Sequence, residues 1–399
     1  MIDRITATRR FVAGVGLAAA VWIAAPPAAA QTQASDDPMF HSAEVMPMTA
    51  RSLLLDITSV GNRRVAVGER GNIVVAEGDS GWRQIADVPT RVTLTAVTAV
   101  GERLFAVGHD GVVVRSDDRG ETWTLVHANP YVKDSDDTYA GAPFLTTHFL
   151  DADNGFVAGA YAQLLHTRDG GKTWSRIDLP ESSQADAQAG LATGEPATNE
   201  ATGAGRESAE PSADDSDQLA NSEQSANNLW LMDADELIIE EEPDPHLNKI
   251  AQLDANTLLM VAERGALFRS SDRGETWTRS TLPYDGSMFG LVVFNPAHVL
   301  AFGLRGHVLE STDGGLVWTI LPTGSGLSLF GGAALPNAGA VLVGANGEVL
   351  HRNTGAEPLK ASRYTNEDDE NPNLAAIDAL DDGSFLVVGD RGVGAYRLP

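Results

Sequence analysis

Two groups of residues in this sequence have types and spacings that metal sites use. The stretch Asp151–Gly155 has the alternating oxygen ligands that begin a calcium-binding loop. Such a loop also needs a Glu eleven residues after its first Asp, and Ala162 stands there, so we interpret the stretch as a turn between strands. His166 and His351 occupy one position of the repeat described below, which is typical of packing or surface residues. The sequence predicts no metal site and no cofactor.

Motifs for other kinds of catalysis are missing from the chain. The sequence has no HExxH, no GxSxG, no GxxxxGK and no dinucleotide glycine motif in the right context. It also has no Cys, which excludes disulfides, thiolate catalysis and cysteine-ligated metals. We therefore predict that the protein is not an enzyme and has no catalytic residues.

One constellation of charged residues could bind a partner. Six short Gly-containing turns between a second and a third strand of the repeat share a plan, as in Glu69-Arg70-Gly71 and His109-Asp110-Gly111. Four of seven repeats place an arginine there, namely Arg70, Arg264, Arg305 and Arg391. Arginines on one face would recognise carboxylates or an acidic segment of a partner. Arg-Gly and Asn-Gly pairs also suit hairpin turns, with the arginine left in solvent, and the sequence leaves both interpretations open.

The element that positions these turns is a motif printed four times, Ser/Thr-x-Asp-x-Gly-x-Thr-Trp. Its copies are 116–123, 167–174, 270–277 and 311–318, the last with Val in place of the Thr. The Asp can accept hydrogen bonds from its own turn, the Gly supplies a positive φ, and the Trp anchors the next strand. These structural residues are Asp118, Gly120, Trp123, Asp169, Gly171, Trp174, Asp272, Gly274, Trp277, Asp313, Gly315 and Trp318. The motif is the Asp-box, or bacterial neuraminidase repeat, and marks a repeat protein.

Each repeat reads as a four-stranded antiparallel meander. In the clearest one, strands are predicted at 94–100, 103–107, 112–115 and 123–126, with the box as the last turn. The spacing from Trp82 to Trp123 is 41 residues, and so is that from Trp277 to Trp318, the period of propeller blades. Counting decayed copies gives seven units, of which the last stops after a third strand. We predict an all-β, seven-bladed β-propeller whose ring is closed by an N-terminal strand around 40–47.

The predicted organisation has five parts. Residues 1–30 read as a signal peptide, 31–52 as the segment supplying the closing strand, 53–180 as blades 1–3, 181–245 as an insertion and 246–399 as blades 4–7. The signal has basic Arg4, Arg9 and Arg10, an apolar stretch and a cleavage site after Ala30. We expect export to the periplasm or beyond, without a membrane span after cleavage. The Arg9-Arg10 pair fits twin-arginine export or ordinary basic flanking.

Charge separates the insertion from the propeller. The chain has a formal net charge of −27, which argues against nucleic acid as a partner. Residues 181–245 carry 17 acidic residues against one basic residue, and we predict that they are largely disordered. Two apolar stretches, 229–232 and 237–239, either pack on the propeller edge or dock a partner. Because the insertion is a crossing between blades, we expect it on the arginine face, where it could also mask the arginines.

The export signal, seven blades, Asp-box turns and repeated hairpins such as 66–71 and 106–111 resemble the photosystem II stability and assembly factor family. The resemblance covers about 50–180 and 246–399. It implies a non-catalytic propeller that holds a membrane-protein precursor through an arginine-rich face, matched here by the four arginines above. We expect a monomeric accessory factor for an envelope membrane protein or transporter. The alternative is a glycan-binding or sialidase-like propeller, since sialidases carry Asp-boxes; its arginine motif is matched only by Tyr396–Pro399 at the final strand.

Overall fold

The computed structural model describes residues 37–78, 80–181 and 244–399, which form seven small antiparallel sheets. The predicted signal peptide, most of the acidic insertion and its two apolar stretches lie outside the described residues. Within the described part, the only helices are three-residue 3₁₀ turns, and none could cross a bilayer. These turns are Pro38–Phe40, Thr49–Arg51, Glu69–Gly71, His109–Gly111, Leu304–Gly306, Pro336–Ala338 and Ala345–Gly347.

Each sheet is a meander in chain order, so every sheet is one blade. Blade 1 consists of β1 to β4 at Leu54–Val60, Arg63–Gly68, Ile73–Glu77 and Arg83–Gln84; blade 2 of β5 to β8 at Leu94–Val100, Arg103–Gly108, Val113–Ser116 and Thr124–His127; and blade 3 of β9 to β12 at Phe144–Phe149, Gly155–Gly159, Leu164–Thr167 and Ser175–Arg176. The four strands predicted in the second repeat therefore lie within one or two residues of their observed positions.

The remaining strands follow the acidic insertion. Blade 4 consists of β13 to β16 at Leu247–Gln252, Leu258–Ala262, Ala266–Ser270 and Thr278–Thr281; blade 5 of β17 to β20 at Met288–Asn295, His298–Gly303, Val308–Ser311 and Thr319–Leu321; blade 6 of β21 to β24 at Leu329–Leu335, Gly339–Gly344, Glu348–Arg352 and Lys360–Arg363; and blade 7 of β25 to β27 at Leu374–Ala379, Phe385–Gly389 and Gly392–Tyr396. The prediction of seven blades is confirmed.

Apolar side chains between neighbouring blades form the core. The described residues contain seven clusters of buried side chains, and each cluster joins two adjacent blades. A blade thus buries both faces only because it has a neighbour on each side, which requires a closed ring. Blades 7 and 1 meet in the same way, through Val388 and Ala376 against Leu54 and Ala66. Arg64 also pairs with Asp378 across this seam, at 3.0 Å.

The ring is closed by this packing, and the predicted closing strand is not found among the described residues. Blade 7 has three strands there, and the segment expected to complete it lies against blade 1 instead. Met39 is fully buried in the cluster between blades 1 and 2. The N–H of Ala43 donates to the carbonyl oxygen of Val88 at 2.8 Å, and that of Met46 donates to Gln84 Oε1 at 2.8 Å. Burial of Met39 and these bonds hold the segment away from blade 7.

Candidate functional site

The Asp-boxes join the third and fourth strands and bind their own turn. In the box of blade 4, Ser270 Oγ donates to Asp272 Oδ1 at 2.8 Å and accepts the N–H of Gly274 at 2.8 Å. Asp272 Oδ1 also accepts the N–H of Thr276, and the indole of Trp277 donates to the carbonyl of Gly274. Such bonds lower the pKa of the box carboxylates. In blade 3, backbone and side-chain bonds from Thr173 lower the pKa of Asp169 to about 2.

The box glycines have the conformation that only glycine adopts at low energy. Their φ values lie between 82° and 90° at Gly120, Gly171, Gly274 and Gly315. Each box also donates a hydrogen bond to the turn between the first two strands of its blade. In blade 3, for example, the N–H of Gly170 donates to the carbonyl of Asp153 at 2.9 Å. The boxes and these turns therefore occupy one face of the ring, which we call the box face. The Ser or Thr hydroxyl and the Asp carboxylate of each box are hydrogen-bonded within the box, so the boxes have a structural role.

The opposite face, here called the crossover face, carries the turns between second and third strands together with the crossings between blades. The N–H of Gly111 donates to Ala142 in the crossing that follows blade 2, and Gly265 and Gly347 make the matching bonds after blades 4 and 6. The ends of the acidic insertion reach this face as well. The carbonyl of Pro245 accepts the N–H of Ala162, which lies in the turn of blade 3.

The four predicted arginines lie on the crossover face, but they do not form a continuous ring. They fall in two pairs of adjacent blades, Arg264 with Arg305 in blades 4 and 5, and Arg391 with Arg70 in blades 7 and 1. Asn346 separates the pairs on one side, and Asp110 and the turn of blade 3 separate them on the other. The predicted arginines therefore share one face of the propeller but lie there as two separate pairs.

Three of the arginines have a backbone conformation that arginine does not favour. Arg70, Arg264 and Arg305 have φ of 54°, 53° and 55°, in the left-handed region. Asp110 and Asn346 fill the same position of their turns at φ of 54° and 53°, as expected from the preference of Asp and Asn for this region. The turn therefore explains Asn and Asp, whereas arginine costs of the order of 1 kcal/mol at each position.

The side chains of the arginines differ in their surroundings. Arg70 and Arg305 are exposed, and neither side chain forms a hydrogen bond or ion pair with a described residue. Arg391 lies in a tighter turn, where Gly392 takes the positive φ, and its Nε is 3.0 Å from Glu370 Oε2. Arg264 is half-buried. Arg70 and Arg305 are thus the arginines best placed to meet a new carboxylate.

A cavity of about 250 Å³ opens where the innermost strands begin, at the crossover face. Every blade has a register irregularity at the start of its innermost strand, and a bulge of this kind re-aims a side chain. The skipped residue of each blade lines the cavity. We call these seven the bulge collar: Leu55, Thr95, Leu145, Asn248, Phe289, Phe330 and Ala375.

The bulge collar is mainly apolar. Its two polar members are already engaged: Thr95 Oγ1 donates to the carbonyl of Phe144 at 2.6 Å, and Asn248 Nδ2 donates to that of Met288 at 2.9 Å. The rings of Phe289 and Phe330 lie 5.6 Å apart, and Phe330 is 37% exposed. The collar therefore offers apolar side chains around a cavity whose exposed surface is mostly polar.

Two ionisable residues lie below the collar. Asp56 accepts the N–H groups of Ile57 and Val97, both at 2.9 Å, and so joins blade 1 to blade 2. Burial raises its pKa, although the charge of Lys249 across the cavity acts in the opposite direction. Lys249 thus lines the cavity below the bulge collar. No group of His, Asp or Glu suited to hold a metal occurs within 37–78, 80–181 and 244–399.

Sequence reasoning missed the bulge collar and the aromatic residues beside the arginines. Tyr284 stacks on His307 with ring centroids 3.7 Å apart, and the charge of Arg305 acts on the Tyr284 hydroxyl, whose pKa is raised by burial. The only sequence signal was that Phe289 and Phe330 open a first strand in two successive repeats. Asp151–Gly155 is a turn between strands, in which Asp151 accepts bonds from Asn154, and His166 is buried against Phe156.

Comparison with known proteins gives one family and a set of similar structures. Residues 74–209 match the sequence model of the family described as "Photosynthesis system II assembly factor YCF48". YCF48 from Cyanidioschyzon merolae is 14% identical with a TM-score of 0.57, over 90% of this chain and 99% of that one. YCF48 bound to D1 peptide is 12% identical with a TM-score of 0.56, over 90% and 96%.

The propeller fold itself is shared more widely. A streptogramin B lyase is 13% identical with a TM-score of 0.58, over 89% of this chain and 96% of that one, so the fold includes enzymes. No match was found among curated protein sequences. The family match over residues 74–209, the Asp-box turns and the seven blades together confirm the predicted resemblance: this chain is an Asp-box β-propeller similar to the photosystem II assembly factor family.

Proposed function

We propose that this protein is an exported, non-catalytic propeller that holds a segment of an envelope membrane protein during assembly. The observation that carries the proposal is the crossover face, where the exposed Arg70 and Arg305, both in unfavourable backbone conformations, share a face with the bulge collar. The collar receives an apolar side chain of the segment, and Arg70 and Arg305 pair with its carboxylates. The solved structure of YCF48 bound to D1 peptide supports a peptide as the ligand class.

The test separates binding from folding by exploiting the turn itself. Replacing Arg70, Arg264 and Arg305 together by Asn removes three charges and leaves a residue that suits the turn, as Asn346 does. We expect unchanged or slightly raised thermal stability together with loss of partner binding. Phe330→Ser should weaken binding through the collar. Binding that is unchanged in both variants would refute the crossover face as the binding surface.

Partner recovery uses a photo-crosslinking amino acid in the full chain, expressed with its export signal. Placed at Tyr161, 47% exposed in the turn of blade 3, it should form an adduct with an envelope membrane protein. The control is Leu316, 67% exposed in the Asp-box of blade 5, where no such adduct is expected. Equal adducts at both positions would contradict the assignment. Turnover on a panel of fluorogenic glycosides would overturn the non-catalytic part and favour the glycosidase alternative.

A further inference from the structure

Blade 7 has three strands among the described residues, whereas each of the other six blades has four. Its outermost described strand is β27, whereas the other blades each pair a fourth strand with their third. The 3₁₀ turn Thr49–Arg51 touches the start of β27, since a Cβ at Gly392 would lie 1.9 Å from the carbonyl oxygen of Ala50. Beyond Gly392, the outer edge of β27 has no strand partner within the described part of the chain. An outer edge of this kind is a template for another strand.

A groove of about 630 Å³ runs along this edge. A four-residue strand is about 13 Å long, and with strand and sheet spacings of about 4.8 Å and 10 Å it fills roughly 620 Å³. The fourth strands of blades 2, 4 and 6 each have four residues. The groove is therefore roomy enough for a strand as short as those of the other blades.

Strand β27 and apolar side chains form two walls of the groove. Val393, Gly394 and Ala395 of β27 form one side, and the Tyr364 hydroxyl fills the space beside Gly394, where a Cβ would lie 1.9 Å from it. Trp82, which packs against the cluster between blades 7 and 1, and Met48, 61% exposed, give apolar surface on the side of blade 1. An extended chain placed here would bury alternate side chains against this surface.

The rim of the groove is acidic on one side. The loop of residues 365–370 contributes Glu367, Asp368 and Glu370, of which Glu370 is neutralised by Arg391. Arg51 is the other cation on the rim, so the lining has an excess of negative charge. A strand with basic side chains among its apolar ones fits this rim, and the net charge of −27 on the whole chain acts in the same direction.

Two other occupants are disfavoured. The chain's own segment 39–47, the natural candidate, is fixed on blade 1 by the burial of Met39 and the bonds of Ala43 and Met46. A second copy would bring two strongly acidic molecules together over a groove that holds a single short strand, far less than the surface of a stable dimer.

We propose that this groove accepts an extended segment of a partner protein, with apolar residues alternating with basic ones, as the fourth strand of blade 7. The strand hydrogen-bonds to the outer edge of β27 and completes the last blade. This site lies beside the propeller seam, apart from the bulge collar. It extends the proposed function to a second contact, and of the four turn arginines only Arg391 lines it, whereas Arg70, Arg264 and Arg305 do not.

The probe is a fluorescent hexapeptide, acetyl-Lys-Val-Lys-Val-Thr-Val-amide, titrated with the full chain and followed by anisotropy. Met48→Lys places a charge in the groove, and Val45→Lys is its matched control, since Val45 is 67% exposed in the same segment but does not line the groove. We expect about tenfold weaker binding for Met48→Lys and less than about twofold for Val45→Lys. Proline in place of the central Val should abolish binding, because it removes a ladder hydrogen bond.

Hydrogen exchange locates the contact. With the peptide bound, amides of 393–396 should exchange several-fold more slowly, and a peptide with Glu in place of Lys should give no protection. The triple Arg→Asn variant of the crossover face should bind the peptide normally, so failure of one proposal is distinguishable from failure of the other. The inference is overturned by absent binding, by equal binding of the proline peptide, or by unchanged exchange at 393–396. Peptide-independent protection that rises with protein concentration would also overturn it, in favour of self-association.

Discussion

Arg352 joins blades 5 and 6 at the position where blade 6 lacks an Asp-box. It occupies the third-strand position where the four boxes have Ser or Thr, and its side chain is only 2% exposed. One guanidinium nitrogen is 2.6 Å from Glu310 Oε1 in the neighbouring blade, and Nε donates to the carbonyl of Ala338 at 3.2 Å. His298 Nε2 lies 2.7 Å from the same Glu310 oxygen. The triad thus joins the end of the third strand of blade 6 to blade 5, whereas the bonds of a box stay within its own turn.

We predict that Arg352→Ala is strongly destabilising. The change leaves Glu310, 18% exposed, with only His298 as a partner, and breaking a buried pair in this way costs about 3–5 kcal/mol. At about 2 °C per kcal/mol for a chain of this size, the melting temperature should fall by about 6–10 °C. Loss of the buried aliphatic part of the side chain acts in the same direction.

The dependence of this loss on pH identifies its cause. Burial opposes ionisation of Glu310, but hydrogen bonds from Arg352 and His298 outweigh it and lower its pKa. A carboxylate with a lowered pKa stabilises the fold at pH 7, and this contribution disappears as the pH falls through its folded pKa. Without Arg352 the pKa of Glu310 rises, so protonation relieves the variant. The deficit relative to the unmodified protein should shrink between pH 7 and pH 4.

Denaturant unfolding at both pH values, followed by tryptophan fluorescence, measures the effect. The control is Arg397→Ala, because Arg397 pairs with Asp382 while 73% exposed, and such a pair contributes less than about 1 kcal/mol. A loss below about 1 kcal/mol for Arg352→Ala, or a loss equal at pH 7 and pH 4, would refute the assignment of Arg352 as the clamp between the blades.

Two further predictions concern the fold. Gly274→Ala should cost more than about 3 kcal/mol, because φ is +85° and the new Cβ would lie 2.2 Å from the Phe156 ring; Gly324→Ala, with φ of +67° and open space, should cost about 1 kcal/mol, and equal losses in thermal unfolding would contradict the steric argument. Burial between blades 3 and 4 lowers the pKa of His148 and of His166 to about 4. Because the unfolded chain binds these protons first, stability should fall by about 1–2 kcal/mol per histidine from pH 7 to pH 5. His166→Phe should weaken the dependence of the unfolding free energy on pH in denaturant titrations. An unchanged dependence would count against a lowered pKa of His166.

Local pattern was sufficient to predict the blades. Strand β5 was predicted with its observed bounds, Leu94–Val100, because small and apolar residues run between two clear turns. The Asp-boxes fixed the count, since their residues interact within eight positions of one another and their geometry follows from the local sequence. The position of Arg305 between a second and third strand also followed from this count.

Other features depend on residues far apart in the sequence. The segment around Ala43 was expected to pair with blade 7. The N–H of Ala43 instead donates to the carbonyl of Val88, and the burial of Met39 also fixes the segment on blade 1. The sequence could not distinguish between blades 1 and 7 as the packing site of this segment, because both offer backbone hydrogen-bond partners. The charge of Arg391 is likewise balanced by Glu370, which the crossing brings to it.

The sequence by itself determined the repeat, the blade topology and the face to which each turn belongs, because all three follow from hydrogen bonds between neighbours in the chain. Only the tertiary structure decided which side chains meet at the axis and at the seam. The bulge collar needs seven irregularities to converge at one cavity, and the groove beside β27 exists because a distant segment packs elsewhere. Closing the ring brings together residues that no periodicity links.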